Sequence, residues 1–208
     1  MSEGPVHDIS GRGGGSGRDA ATARPAPRRV LIVGPSGAGT STLGRHLAIA
    51  LATQHFDVDD FYWRPSDPPF RRKRTVPARV ALMREMFLPR RDWVLSGALE
   101  SWGEAVVDRL THAVFLTLDQ PARRARLEAR ERIRHGAAMD PGGTTHAEVR
   151  AFLSWADGYE AGMRPGRSLA RHEAWLATLP CPVIRLQAGP PPEALAGDVL
   201  EAMAAPAH

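Results

Sequence analysis

The sequence predicts an α/β protein in which a five-stranded parallel sheet lies between two layers of helices. Five short apolar runs, several of them rich in β-branched residues, have the length of buried strands. Helical periodicity fills most of the gaps between them, and a glycine-rich loop separates the first strand from the first helix. Strands that are apolar along their whole length belong to sheets covered on both faces, which gives a three-layer α/β/α sandwich.

The individual elements follow from local patterns. In the first helix, Leu43, Leu47 and Leu51 recur at a spacing of four and form one apolar face. The predicted strands cover residues 30–33, 55–59, 93–96, 113–118 and 182–186. The predicted helices cover residues 40–52, 76–88, a short segment from about 102, then 121–135, 146–161, 168–178 and 193–203.

The N-terminus differs in composition from the rest of the chain. Residues 1–27 contain a glycine-rich run at 11–17 and cannot bury apolar surface, which predicts a disordered tail. Residues 28–208 then form one domain, with a lid at about 123–172.

Composition limits the classes of function. The formal charge of +4 comes without a basic stripe, and arginine supplies nearly all of the positive side, which favours small anionic ligands over nucleic acid. Cys181 is the only cysteine, so a disulfide framework is excluded. No apolar run approaches the ~20 residues of a membrane span. We expect a cytoplasmic monomer without a membrane partner.

The glycine-rich loop matches the phosphate-binding pattern G-x-x-x-x-G-K-[ST] at Gly34, Gly39 and Ser41. Glycines let the backbone curl so that several N–H groups point at a phosphate, and the helix N-terminus adds roughly half a positive charge. The Ser41 hydroxyl is placed to bind magnesium. The predicted nucleotide-binding residues are Gly34, Pro35, Ser36, Gly37, Ala38, Gly39, Thr40, Ser41 and Thr42.

One position departs from this pattern: Thr40 stands where the pattern has lysine. A neutral hydroxyl replaces the charge that normally reaches the terminal phosphates. Two other interpretations stay open here, a simple Gly-Ser turn that starts a helix and a loop that binds nucleotide without catalysing transfer.

An acidic cluster follows the second strand at Asp57, Asp59 and Asp60. Because the predicted strand runs through residue 59, alternation places Asp57 and Asp59 on the same side. Near the phosphate loop, Asp57 would hold Mg²⁺ and Asp59 would accept a proton from an attacking hydroxyl. The alternative is a turn that favours aspartate for local hydrogen bonds.

Aromatic and basic residues come next, at 61–63 and 71–74. Two interpretations of this stretch are equally consistent with the sequence: an acceptor pocket and an exposed basic loop. Lys73, the only lysine of the chain, is a candidate to replace the missing lysine from outside the loop.

The helix at 121–135 is rich in arginine. Spacings of three and four place Arg123, Arg126, Arg130 and Arg134 on one face. A lid helix that brings Arg126 and Arg130 over a transferring phosphate explains this pattern, as does a solvated helix in an arginine-rich protein.

Taken together, the loop at 34–41, the Asp57-Val58-Asp59 segment and the Arg126 to Glu131 helix resemble the small P-loop kinases, among them the adenylate, cytidylate, shikimate, gluconate and uridine kinases. The similarity is greatest to bacterial adenylate-kinase-like ATPases, including topology modulation proteins, which share an Asp-Tyr-Trp stretch like residues 60–63. The threonine variant of the loop also occurs in this group and in archaeal-type cytidylate kinases.

This resemblance implies a sheet order of 2-3-1-4-5, a helical lid after the fourth strand, and the cofactors ATP and Mg²⁺. It implies an ATP-dependent kinase acting on a nucleotide or another small molecule, with catalytic Asp57, Asp59, Arg126 and Arg130 and with Ser41 and Asp57 as metal ligands. A nucleotide-binding regulator or slow ATPase is the alternative.

Overall fold

The computed structural model describes residues 26–162 and 166–205 and contains seven strands in this part of the chain. They are β1 (Arg29–Val33), β2 (His55–Asp57), β3 (Trp63–Arg64), β4 (Arg72–Lys73), β5 (Trp93–Ser96), β6 (His112–Thr117) and β7 (Val183–Gln187). Five of them form the main sheet in the order β2-β5-β1-β6-β7, and all its pairings are parallel. Counted within that sheet alone, the order is 2-3-1-4-5, so the predicted topology is confirmed.

All the helices except α2 (Val58–Tyr62) lie where the sequence predicted them, with ends that differ by a few residues. The others are α1 (Thr40–Ala50), α3 (Val76–Met86), α4 (Glu104–Val107), α5 (Gln120–His135), α6 (His146–Asp157), α7 (Leu169–Leu176) and α8 (Pro192–Ala204), with a 3₁₀ turn at Gly136–Met139. The sequence missed α2 and the small antiparallel hairpin of β3 and β4.

Strand alternation sends side chains into two cores, one on each face of the sheet. Val30 and Ile32 of β1 pack with α1 and α8, whereas Leu31 and Val33 pack with α2, α3, α4 and α7. These four β1 side chains are no more than 1% exposed. Burial on both faces explains why the strands are continuous apolar runs, and it confirms the three-layer sandwich.

A helical extension follows β6 and contains α5, the 3₁₀ turn and α6. It has a small apolar cluster of its own, formed by Leu127, Val149, Leu153 and Ala156. The proposed tail falls almost entirely on residues 1–25, which lie outside the described residues. None of the helices in the described part of the chain is long and apolar enough to cross a bilayer.

The second strand ends earlier than predicted, and the expectation that Asp57 and Asp59 share one side of a strand is wrong. Asp57 is the N-cap of α2, where its side chain accepts a hydrogen bond from the Asp59 N–H. Capping and the acidic first turn both favour a helix at this point. Asp59 therefore lies on a helix that leaves the sheet, rather than on the strand.

Candidate functional site

The loop between β1 and α1 curls at two glycines. Gly37 and Gly39 have φ angles of 87° and 102°, which side chains rarely allow, and Ala38 N–H donates to the Pro35 carbonyl at 3.1 Å. The N-cap residue of α1 is Gly39, and no side chain among the described residues caps this helix. The first amide N–H groups of the helix are therefore available to an anion.

Three hydroxyl and carboxylate groups meet beside this loop. Ser41 Oγ donates to Asp57 Oδ2 at 2.5 Å, and Ser96 Oγ donates to the same oxygen at 3.2 Å. Asp57 and Ser96 are register partners at the ends of β2 and β5, so the parallel sheet itself brings them together. The two residues predicted to bind metal, Ser41 and Asp57, are thus in direct contact.

His55 joins this group, although the sequence analysis assigned it no role. Its Nε2 atom lies 2.9 Å from Ser96 Oγ, and its ring lies against Gly44 of α1. Burial lowers the pKa of His55, with the Asp57 charge opposing the shift. Two signals were present in the sequence: His55 is two residues before Asp57 on one strand, and Gly44 interrupts a helix.

Asp59 lies on α2, two residues after Asp57, and is exposed to solvent. The surrounding protein partly withdraws its carboxyl from water and raises its pKa; repulsion from Asp57 adds to this, while Arg167 and a hydrogen bond from Trp63 oppose it. A carboxylate with a raised pKa is a better proton acceptor than an ordinary aspartate.

The lid arginines have different surroundings. Arg126 Nη1 donates to the Ala38 carbonyl at 3.3 Å, which places this side chain over the phosphate loop. Arg130 contacts Glu131 and lies 5.5 Å from the Phe152 ring centroid. The structure therefore brings Arg126, but not Arg130, into contact with the loop.

Arg123 is fully buried and ties the lid to the loop. It forms two hydrogen bonds with Glu160, at 2.6 and 2.7 Å, and it donates to the carbonyl oxygens of Leu118, Ser36 and Ala156. Its contacts identify it as a structural residue rather than a group that is free to meet phosphate.

Arg79 of α3 is a further residue that the sequence did not single out. It is 7% exposed, and its guanidinium carbon lies 3.7 Å from the Tyr62 ring centroid and 5.0 Å from that of Trp102. Its Nε donates to the Arg74 carbonyl. No acidic side chain within the described residues forms an ion pair with it.

The loop of the β3–β4 hairpin contacts the lid helices α5 and α6. Arg71 pairs with Glu148 of α6 at 2.8 Å, and Arg134 of α5 lies 5.7 Å from the Phe70 ring centroid. Lys73 lies 5.6 Å from the ring centroids of both Tyr62 and Trp63, so its contacts are with these rings and not with the phosphate loop.

Behind the site, His172 is completely buried between two partners. Tyr159 Oη lies 2.6 Å from Nδ1, and Glu100 Oε1 lies 2.5 Å from Nε2 in a contact that is not aligned as a hydrogen bond. Burial alone would raise the pKa of Glu100, but its contact with His172 holds the pKa below the ordinary value. This cluster connects the segment after β5 with α7.

The donor set at Ser41 and Asp57 fits a magnesium ion that keeps most of its water. Hydroxyl and carboxylate oxygens are its usual protein ligands, and phosphate oxygens supply others in kinase sites. No group of three or more His, Cys, Asp or Glu side chains in the described residues forms a metal cage.

No protein-family model matches the chain. It is 37% identical over 160 residues to an uncharacterized Bacillus subtilis (strain 168) protein, YqaC, in an alignment that covers 77% of this chain and 88% of that protein.

Among solved structures, a gluconokinase from Sinorhizobium meliloti 1021 matches 87% of this chain and 94% of its own, with 16% identity and a TM-score of 0.49. A shikimate kinase from Acinetobacter baumannii, in complex with shikimate, matches 86% of this chain and 93% of its own, with 16% identity and a TM-score of 0.48. These similarities concern the fold alone.

Proposed function

We propose that this chain, which belongs to the same family as the Bacillus subtilis protein YqaC, is a magnesium-dependent phosphotransferase that uses ATP. One observation carries the proposal: the uncapped N-terminus of α1 lies beside the Ser41–Asp57 contact, at the carboxyl edge of a kinase-like P-loop fold. An anion site next to a hydroxyl and carboxylate pair suits a metal-bound triphosphate.

In this proposal residues 34–42 hold the phosphates of ATP. The amide N–H groups of the loop and of the first turn of α1 donate to phosphate oxygens. Ser41 and Asp57 hold the magnesium ion, which when bound neutralises charge on the phosphates. The Ser41 hydroxyl donates a hydrogen bond to Asp57, so the lone pairs of its oxygen stay available to a cation.

Asp59 acts as the base. The acceptor oxygen forms a bond to the γ-phosphorus, the bond from that phosphorus to the bridging oxygen breaks, and the proton of the acceptor passes to the Asp59 carboxylate. ADP leaves with the bridging oxygen. Arg126 lies over the loop, where its charge stabilises the transferring phosphoryl group.

The environment of Arg79 indicates the class of acceptor. A guanidinium that is almost fully buried and has no acidic partner among the described residues is unfavourable unless a ligand supplies an anion. Its partner ring, Tyr62, belongs to α2, the helix that carries Asp59. We therefore propose a small acceptor with a hydroxyl or phosphate nucleophile and a separate carboxylate or phosphate group.

The experiment is a transfer assay with γ-labelled ATP against a panel of nucleosides, nucleoside monophosphates, sugars and hydroxy acids. Label should move to an anionic acceptor, and Asp59→Asn should abolish the transfer. Asp198→Asn, on the exposed surface of α8, is the matched control and should retain it. Phosphate release without transfer, unchanged in Asp59→Ala, would contradict the kinase.

Thr40 favours a second candidate, a nucleotide-binding regulator or slow ATPase. The lysine that the loop lacks is not supplied by Lys73, whose contacts are with Tyr62 and Trp63. Thr40→Lys separates the two candidates: tighter ATP binding with faster transfer supports a kinase site that lacks only this charge. Weaker binding indicates a loop shaped around threonine, as in the regulator.

A further inference from the structure

His55 lies beside the polar cluster that Ser41, Asp57 and Ser96 form next to the phosphate loop. Its Nε2 atom is 2.9 Å from Ser96 Oγ, and Ser96 Oγ is in turn 3.2 Å from Asp57 Oδ2 and 3.4 Å from Ser41 Oγ. Ser96 is completely buried, so water does not compete for its single proton. The direction of that proton depends on which groups around Ser96 are donors.

The tautomer of His55 sets the direction of the Ser96 proton. The Asp57 carboxylate can only accept hydrogen bonds, and it accepts one from Ser41, with 2.5 Å between Ser41 Oγ and Asp57 Oδ2. If His55 carries its proton on Nε2, it donates to Ser96, and Ser96 is left to donate to Asp57. If the proton is on Nδ1, Nε2 becomes an acceptor that takes the Ser96 proton away from Asp57.

Helix α1 contains a gap that fits the His55 ring. A Cβ atom on Gly44 would lie 2.5 Å from His55 Cδ2 and 2.6 Å from Nε2, well inside contact distance. Glycine costs stability inside a helix, so its presence here needs a reason. Room for the imidazole supplies that reason.

We propose that His55 is a positioning residue for the magnesium–nucleotide site, donating from Nε2 to Ser96 so that Ser96 and Ser41 together hold the Asp57 carboxylate. Gly44 is the second part of the device, because it admits the ring beneath α1. This inference rests on the proposed binding of magnesium and ATP by Ser41 and Asp57. His55 itself touches neither ligand.

The first test measures the magnesium dependence of nucleotide binding. ATP is titrated into the full chain by calorimetry, once with Mg²⁺ and once with EDTA. His55→Leu should weaken binding by about 10- to 100-fold with Mg²⁺, the range for residues that orient a metal ligand, and by less than about twofold without it. His55→Gln keeps an amide donor and should recover most of the loss.

Two control variants separate this role from a merely structural one. His112→Leu removes a half-buried histidine at the first residue of β6, which β5 and β1 separate from β2, and it should leave the magnesium effect unchanged. Gly44→Ala should reproduce the magnesium-specific loss, whereas Gly197→Ala, in α8 with nothing within 4 Å of the added carbon, should not. Equal losses with Mg²⁺ and EDTA in His55→Leu would overturn the proposal.

The second test needs no nucleotide. In the ¹⁵N spectrum of the histidine-labelled protein, the signals that disappear in His55→Gln should show a proton on Nε2, and Ser96→Ala should shift them. A proton on Nδ1 would overturn the inference even if the protein binds ATP. If the wild type shows Nε2–H but no binding of ATP, the proposed function fails and the hydrogen-bond arrangement stands.

Discussion

Arg123 and Arg126 are three residues apart on α5, yet their guanidinium groups occupy opposite environments. Arg123 is 1% exposed and bonds to Glu160 and three carbonyl groups. Arg126 is exposed, and its one hydrogen bond, to the Ala38 carbonyl, is 3.3 Å long. No acidic partner forms an ion pair with it in the described part of the chain.

The same division separates two regions of the molecule. Behind the site, polar side chains have partners: Arg123 pairs with Glu160, and Glu100 contacts His172. At the site, Arg79 and Arg126 have no acidic partner among the described residues. Buried or positioned charges without partners mark places where a ligand completes the network. Whether an arginine has an acidic partner, more than how many arginines lie nearby, therefore distinguishes the scaffold from the proposed site.

The largest effect is expected at Arg126. Arg126→Gln should lower kcat of phosphoryl transfer by about 10³-fold, since an arginine that stabilises the transferring phosphoryl group contributes at least that much. The melting temperature should stay within about 2 °C, because one long hydrogen bond is lost. Steady-state kinetics and thermal unfolding measure both. Arg150→Gln, exposed on α6, is the control; a similar loss of kcat there would contradict the assignment.

Arg123 should show the reverse behaviour. Arg123→Met should lower the free energy of unfolding by about 3 kcal/mol, because three carbonyl groups lose a buried donor and Glu160 loses its partner. Urea unfolding measures the change. Glu160→Gln should cost less, since the Glu160 side chain is 43% exposed and water replaces the lost contact. A variant as stable as the wild type would show that Arg123 is not part of the scaffold.

Asp59 and Glu100 should respond to pH in opposite senses. The pKa of Asp59 is raised, so its ionised form costs stability, and Asp59→Asn should stabilise the protein at pH 7. The pKa of Glu100 is lowered, so its ionised form adds stability, and Glu100→Gln should destabilise the protein at pH 7.

In acid, where the wild-type carboxyl groups are protonated, both variants should approach the wild type in stability. The Asp59 difference shrinks as pH falls through the raised pKa towards the ordinary value of 3.8, and the Glu100 difference shrinks below the ordinary value of 4.5. Urea unfolding between pH 3 and pH 8 measures them. Changes of the same sign in both variants at pH 7 would remove the distinction between the two regions.

The smallest effect is expected at an exposed pair. Arg71 and Glu148 are both about half exposed, so Arg71→Glu should lower the free energy of unfolding by less than about 1 kcal/mol. Adding Glu148→Arg should recover that stability. Thermal unfolding at low and high salt measures the pair. A cost above about 2 kcal/mol, or no recovery in the double variant, would mean that hairpin and lid are joined by more than this contact.

Much of the fold could be predicted from local patterns. The β1 side chains are apolar without interruption because both faces of the strand are buried, so periodicity found the strand and the three layers. The pattern failed at Asp59, where an N-cap at Asp57 overrode the alternation expected of a strand. A short helix of this kind leaves a weak signal, since its caps use the same residues as a turn.

Short-range patterns along the chain were enough to predict the fold class and the glycine-rich loop between β1 and α1. The resemblance to P-loop kinases predicted the strand order and, with it, the proximity of Asp57 to Ser41. The folded chain was needed to distinguish the α5 arginine of the scaffold from the one that lies over the loop, and to show that His55 lies against Ser96 and Gly44. Pairing depends on residues distant along the chain, such as Glu160 for Arg123, and helix spacing cannot specify such partners.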